Sequence, residues 1–208
     1  MFQELPLEAQ KAALRAFQPL RVRRGTRLYA EGDRADGIYL VRTGWIWLER
    51  SGPLEEPATL GVVGPGGLLG EEALVGERRT AGASALTYAE LLFAPQEALL
   101  SLLRGFPEVQ AFLLKAFYAR LKAAEARLWE VRHLPVGGRL ARLLLGLAQG
   151  GEIPFSHQDL ARMVGATRET VTKLLGEWAL EAGWSWATAG WRSWTPRPLP
   201  AWRRRFRL

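Results

Sequence analysis

Apolar and polar positions change texture twice along the chain, dividing it into three parts. Residues 4–18 place Leu5, Leu7, Ala9, Ala12, Ala13, Leu14 and Phe17 at helical spacing, which predicts a short amphipathic helix. From Leu20 to Ala94 the apolar residues fall in short runs, Gly37–Val41, Gly44–Leu48, Ala58–Val63 and Ala89–Phe93. Turn clusters separate them: Glu31-Gly32-Asp33, Arg42-Thr43-Gly44, Ser51-Gly52-Pro53 and Gly64-Pro65-Gly66-Gly67. Short strands at a spacing of about 8–12 residues with glycine punctuation predict an all-β sandwich or barrel. Within it, Trp45-Ile46-Trp47 predicts a strand with both indoles on one face and Ile46 on the other.

From Pro107 to Val131 the period becomes helical. Leu114, Phe117, Leu121, Ala124, Leu128 and Val131 are spaced 3, 4, 3, 4, 3, a heptad stripe flanked by Lys115, Arg120, Lys122, Glu125, Arg127 and Glu130. A helix lying on its own β domain also shows such a stripe, but three heptads with charged flanks predict self-association. Pro135 and Gly137-Gly138 then break the pattern and mark a hinge. Beyond it an apolar helix is expected over Leu140 to Ala148, followed by two more helical stretches.

Those two stretches carry the chemistry. In Phe155 to Leu175, Ser156 is a plausible helix N-cap supported by Asp159, and Leu160, Met163 and Val164 form one apolar face. Gly165 supplies the left-handed turn that ends the helix. Thr167 caps a second helix buried through Val171, Leu174 and Leu175. Two short helices joined by a tight glycine turn predict a helix-turn-helix. The exposed face of the second helix then carries Arg168, Glu169, Thr172 and Lys173, and its N-terminal residues are the ones placed to reach base edges. Arginine can bridge guanine O6 and N7, and glutamate can accept from cytosine N4. Ser156, His157, Gln158, Thr167 and Thr170 surround the helix N-termini and suit phosphates. The alternating tryptophans of Trp184 to Trp194 predict a β-hairpin wing, with Arg192 as a further phosphate contact.

Charge agrees. The chain of 208 residues has a net charge of +7, unevenly spread: 17 basic and 16 acidic residues in 1–133, 11 and 5 in 134–208. The excess sits in the last third, which holds both the predicted helix-turn-helix and the basic run Arg203-Arg204-Arg205-Phe206-Arg207, and points to a polyanion, double-stranded DNA. Arginine makes up 24 of the 28 basic residues and asparagine is absent, a bias that fits a GC-rich genome and a thermophilic source. Zero cysteines exclude disulfides, thiolate-ligated zinc and iron–sulfur clusters, and two histidines argue against a histidine metal site. No nucleophile, base or paired carboxylates gather into a catalytic set, so no enzyme is expected. No apolar run is long enough to span a membrane, and the start reads as no secretory signal, so a cytoplasmic protein is expected.

A β-roll, a long helix, a hinge and a winged helix-turn-helix, in that order, resemble the cyclic-AMP receptor protein (CRP/FNR) superfamily of bacterial transcription regulators. The resemblance spans nearly the whole chain and is most specific in Gly165-Ala166-Thr167-Arg168-Glu169-Thr170-Val171, which is similar to the family's recognition-helix signature. Gly25, Gly32, Asp33, Gly37 and Gly44 sit like the family's turn residues. The resemblance implies an α+β fold: a jelly-roll-like β-roll sensor over 1–106, a dimerisation helix over 107–134 and the DNA-binding domain over 135–208. It places Arg168, Glu169 and Lys173 where the family reads bases; the lysine stands where arginine is common. It also implies a homodimer, a palindrome similar to TGTGA-N6-TCACA, and contact with RNA polymerase as an activator.

In the nucleotide-binding members a Gly-Glu pair holds the ribose hydroxyl, and a following Arg-Ser/Thr-Ala receives the cyclic phosphate. Gly70-Glu71 and Arg79-Thr80-Ala81 resemble that set and imply cyclic AMP as effector. The alternative is that Glu71 and Arg79 pair with each other as a structural relic. The family's base-contacting threonine-serine pair on the long helix is replaced by Ala124 and Glu125, which counts against cyclic AMP. Iron–sulfur sensing is excluded by the lack of cysteine, and haem sensing lacks a histidine in the β domain. Ligand-gated and effector-independent regulation both stay open, as does a nucleotide sensor acting through protein contacts with a degenerate DNA domain.

Overall fold

The structure is a computed structural model and describes residues 4–52, 57–148 and 153–181. Contacts group the chain into two compact units, Met1–Ala123 and Ala124–Leu208.

The first unit opens with α1, Leu7–Ala16, and continues through eight strands. These are β1 Gln18–Val22, β2 Arg27–Tyr29, β3 Gly37–Thr43, β4 Ile46–Ser51, β5 Pro57–Val63, β6 Leu68–Leu69, β7 Gly82–Ala85 and β8 Ala89–Pro95. They form two four-stranded antiparallel sheets, β1-β8-β3-β6 and β2-β7-β4-β5. Between them lie Val22, Tyr29, Tyr39, Val41, Ile46, Leu48, Leu69, Ala83, Ala85, Ala89 and Leu91. Against the other face of the first sheet pack α1, α2 (Gln96–Gly105) and the start of α3 (Pro107–His133). Ala9, Ala13, Ile38, Leu40, Leu99, Leu102, Val109 and Leu113 fill that second layer.

Several strands have no apolar run to announce them. β6 is two residues long, and β7, Gly-Ala-Ser-Ala, has no β-branched or aromatic side chain. β1 carries Pro19, which an edge strand tolerates because its missing N–H need pair with nothing. β4 contributes Ile46 and Leu48 to the core between the sheets and not Trp47, the alternation expected from Trp45-Ile46-Trp47, yet all three residues are buried. Both of its faces are covered there, and the Trp45 ring lies against Gly64, where a Cβ would approach within 2.4 Å.

The second unit holds the end of α3, then α4 (Val136–Ala148), α5 (His157–Val164) and α6 (Arg168–Glu181). The helix break is shorter than expected. Only Leu134 and Pro135 separate α3 from α4, and Gly137 and Gly138 are helical residues in the first turn of α4. α4 packs on α5 and α6, and Leu140, Ala141 and Leu144 of α4, Leu160 and Ala161 of α5, and Val171 and Leu175 of α6 are all buried. The expected wing at Trp184 to Trp194, with Arg192, lies outside the described residues.

Candidate nucleic-acid interface and β-roll site

The helix-turn-helix is built by short-range capping. Ser156 Oγ accepts from the Asp159 N–H at 3.1 Å, and Asp159 Oδ2 accepts from the Ser156 N–H at 2.9 Å, a closed capping box. α5 ends at Gly165, whose φ of +66° is the left-handed conformation a C-cap requires. Thr167 Oγ1 accepts from the Thr170 N–H at 3.3 Å and starts α6. With Val171, Leu175, Trp178 and Ala179 buried, helical geometry turns Arg168, Glu169, Thr172 and Lys173 outward, and all four are exposed. Lys173 meets Glu177 one turn on at 3.9 Å, an exposed pair that restrains it little.

The first turn of α5 reaches the same surface. His157 Nδ1 hydrogen-bonds Thr172 Oγ1 at 2.8 Å, which joins the residues expected at phosphates to the face expected at bases. Burial, then the nearby Arg168 charge, holds the His157 imidazole below its usual pKa, so it is neutral at pH 7. Gln158 and Thr167 are exposed; Ser156 and Thr170 are half-buried.

Two arginines absent from the expected set fix the turn between the helices. Arg127 donates from Nη2 to Met163 O, and Arg139 donates from Nε to Val164 O at 2.9 Å and from Nη2 to Gly165 O at 3.4 Å. The last carbonyls of α5 have no helical partners, and cations there also meet the negative end of the helix dipole. Their partners lie more than twenty residues away in sequence, so no local pattern points to them.

In the β-roll the residues expected at a nucleotide come together around Arg79, but not as expected. Its guanidinium is fully buried and stacks on the Tyr29 ring at 4.2 Å. Nη1 donates to Gly70 O at 2.9 Å; Nη2 donates to Asp36 Oδ1 and to Gly37 O, both at 2.8 Å. Glu72 Oε2 stands 3.5 Å from Nη1. Arg79 and Glu71 therefore do not pair with each other. Glu71 pairs with Arg120 of α3 at 2.6 Å, and Thr80 gives both its hydroxyl and its N–H to Glu72 Oε1, at 2.7 and 3.0 Å. Asp36, Glu72 and Tyr29 are functional neighbours that sequence spacing did not single out.

A cyclic phosphate bound by an arginine fork needs two adjacent free N–H groups. Here the N–H groups without a hydrogen bond are that of Nε and one of Nη1, which are not adjacent, and Glu72 Oε2, 3.5 Å from Nη1 and without a hydrogen bond, would face the phosphate as a second anion. As they stand, these residues do not fit the phosphate of a cyclic nucleotide.

Burial pushes the Glu72 carboxyl up, but the Thr80 hydrogen bonds and the Arg79 charge outweigh it, and its pKa lies below the ordinary 4.5. A depressed carboxylate stabilises the fold above its unfolded pKa, and that stability is lost as pH falls through the lower folded value. Thermal melts below pH 4.5 should therefore show a steeper loss of stability in the native chain than in Glu72→Gln. Equal slopes would place the acid sensitivity elsewhere.

Comparison with known proteins agrees with both halves. Residues 19–106 match the model of the cyclic nucleotide-binding domain, and 138–182 match that of the Crp-like helix-turn-helix domain. A β-roll of the first kind joined by a long helix to the second defines a transcription regulator with a DNA-binding helix-turn-helix. The chain belongs to the CRP/FNR family. It is 31% identical over 195 residues to the CRP-like cAMP-activated global transcriptional regulator of Mycobacterium tuberculosis, covering 88% of this chain and 87% of that protein. It is 34% identical over 179 residues to the cyclic AMP receptor protein of Thermus thermophilus, covering 84% of this chain and 83% of that one. The crystal structure of the Thermus thermophilus catabolite activator protein aligns with a TM-score of 0.55 at 34% identity over 87% of each chain. No described helix is long and apolar enough to cross a membrane.

Proposed function

We propose that the chain acts as a homodimer that reads a palindromic operator with Arg168, Glu169 and Lys173 and activates transcription by contact with RNA polymerase. The observation that carries this reading is the start of α6, where the base-reading side chains are exposed while the opposite face is buried. Two copies related by a two-fold axis would present their α6 helices to half-sites about one helical turn, 10–10.5 bp, apart. The palindrome would be similar to TGTGA-N6-TCACA. Ser156, His157, Gln158, Thr167 and Thr170 would meet phosphates around each half-site and set the register, with Arg192 as a further such contact.

The test is fluorescence anisotropy of a labelled duplex carrying the palindrome against a scrambled duplex, at one fixed salt concentration. Salt must be fixed because a basic domain binds any DNA when salt is low. Tight binding to the palindrome and weak binding to the scrambled duplex supports the reading; equal binding to both sinks it. In the same assay Arg168→Ala should cost about 1–3 kcal/mol on the palindrome and relax the preference at one base pair, with little change on the scrambled duplex. A uniform loss on both would make Arg168 a phosphate contact instead.

A further inference from the structure

We propose that Arg79 is a structural cation whose counter-ions are built into the β-roll, and that Asp36 takes the place a ligand phosphate would need. DNA binding by this regulator then requires no cyclic nucleotide. The second statement rests on the function proposed above; the first does not.

The argument starts from the donors. Arginine has five N–H groups. Three of those on Arg79 are bound at 2.8–2.9 Å by oxygens of Gly70, Asp36 and Gly37, and Glu72 approaches a terminal nitrogen at 3.5 Å. The three bonds take both N–H groups of Nη2 and one of Nη1; the two that are left, on Nε and on Nη1, share no edge of the guanidinium, so no bidentate fork stays free for a phosphate. One face of the guanidinium is closed by Tyr29, and Tyr39 lies 5.9 Å away. The backbone holds the residue too: Arg79 N–H donates to Asp33 O, and Gly32 N–H donates to Arg79 O.

Charge points the same way. One guanidinium already has two carboxylates, Asp36 and Glu72, within 3.5 Å. A phosphate entering beside it would be a third anion at a site that a single cation serves, and Glu72 has nowhere to turn because Thr80 holds its other oxygen. The Glu71–Arg120 pair is less decisive. Both side chains are more than a third exposed, and such pairs break at little cost. Asp36 is itself exposed at 62%, so what keeps the buried guanidinium occupied when that carboxylate swings is the pair of carbonyls Gly70 O and Gly37 O and the Glu72 carboxylate held by Thr80; Glu71 alone would not exclude the nucleotide.

Three measurements on the full-length protein test this. Calorimetric titration with cyclic AMP, and separately with cyclic GMP, should give no saturable binding up to about 1 mM, the weak end of specific affinity. Operator affinity should be the same with and without cyclic AMP. Asp36→Asn should lower the melting temperature by several degrees, and should do so much less in an Arg79→Met background, because the two residues act as one pair. Saturable micromolar binding of either nucleotide to the native chain, lost in Arg79→Met, would overturn the proposal. So would a melting-temperature cost of Asp36→Asn that is the same in both backgrounds. Failure to select the operator under any condition would strike the proposed function and leave the structural assignment of Arg79 to the titrations and melts.

Discussion

The double variant Leu121→Glu/Leu128→Glu should be a folded monomer that binds the palindrome no better than a single half-site. Leu114, Leu121, Leu128 and Val131 are 70%, 56%, 56% and 56% exposed in the single chain, and they recur along one stripe of α3. Phe117 packs on the core of its own β-roll unit, so the proposed self-association surface would be carried by the leucines, Ala124 and Val131. Each leucine buried against a second copy would contribute about 1.5–3 kcal/mol, twice over in a symmetric pair. A glutamate at the same place would have to be buried without a partner. Losing the dimer removes the second recognition helix from the same binding event, and with it about 10²- to 10⁴-fold in affinity for the palindrome. Light scattering at micromolar concentration gives the mass, far-ultraviolet circular dichroism the helix content, and anisotropy the operator affinity. A variant that stays dimeric places the interface elsewhere. A monomer that keeps full affinity for the palindrome ends the two-fold model.

Features that depend on neighbours in sequence are legible from the residues alone. Ser156 and Asp159 are three residues apart, and Gly165 follows the last buried position of α5, so caps and turn are written within ten residues. The face of α6 follows from the 3.6-residue period once Val171 and Leu175 are taken as buried. The β-roll is legible as a class because glycine turns recur, three of them at Gly25, Gly32 and Gly44 with φ near +80°. Pairings made across the fold are not legible in this way. Asp36 and Arg79 are 43 positions apart, and nothing in the residues around either one tells that the arginine is buried. An Arg-Thr-Ala after a Gly-Glu resembles a phosphate receptor whether its donors are free or spent. Only the positions of Gly37 O, Gly70 O and Asp36 distinguish the two. The same holds for Arg127 and Arg139, which in sequence are ordinary helix-surface cations and in the structure hold the end of α5.

Gly70→Ala should destabilise the β-roll unit by about 3–5 kcal/mol, the backbone strain together with one lost hydrogen bond to a buried charge. Gly70 has a φ of +88°, where an alanine side chain is strained by roughly 1–2 kcal/mol. That strain is the smaller part. A Cβ at position 70 would lie 2.4 Å from Arg79 Nη1 and 2.9 Å from Gly37 O, inside the cage itself. The guanidinium cannot yield by moving into solvent, because it is enclosed, so it must give up Gly70 O, Asp36 or Gly37 O and leave a buried charge short of partners. Gly76→Ala is the matching control. Gly76 has a φ of +73° and open space where its Cβ would go, so it should show the backbone strain alone, about 1–2 kcal/mol. Urea unfolding of the two variants separates the contributions, since both lose a glycine and only one meets the arginine. If Gly70→Ala costs no more than Gly76→Ala, the Arg79 cage is soft enough to open, and an anion could reach the guanidinium after all. If it costs several times more, the cage is rigid, and the glycine that resembles part of a nucleotide site is kept by the arginine it touches.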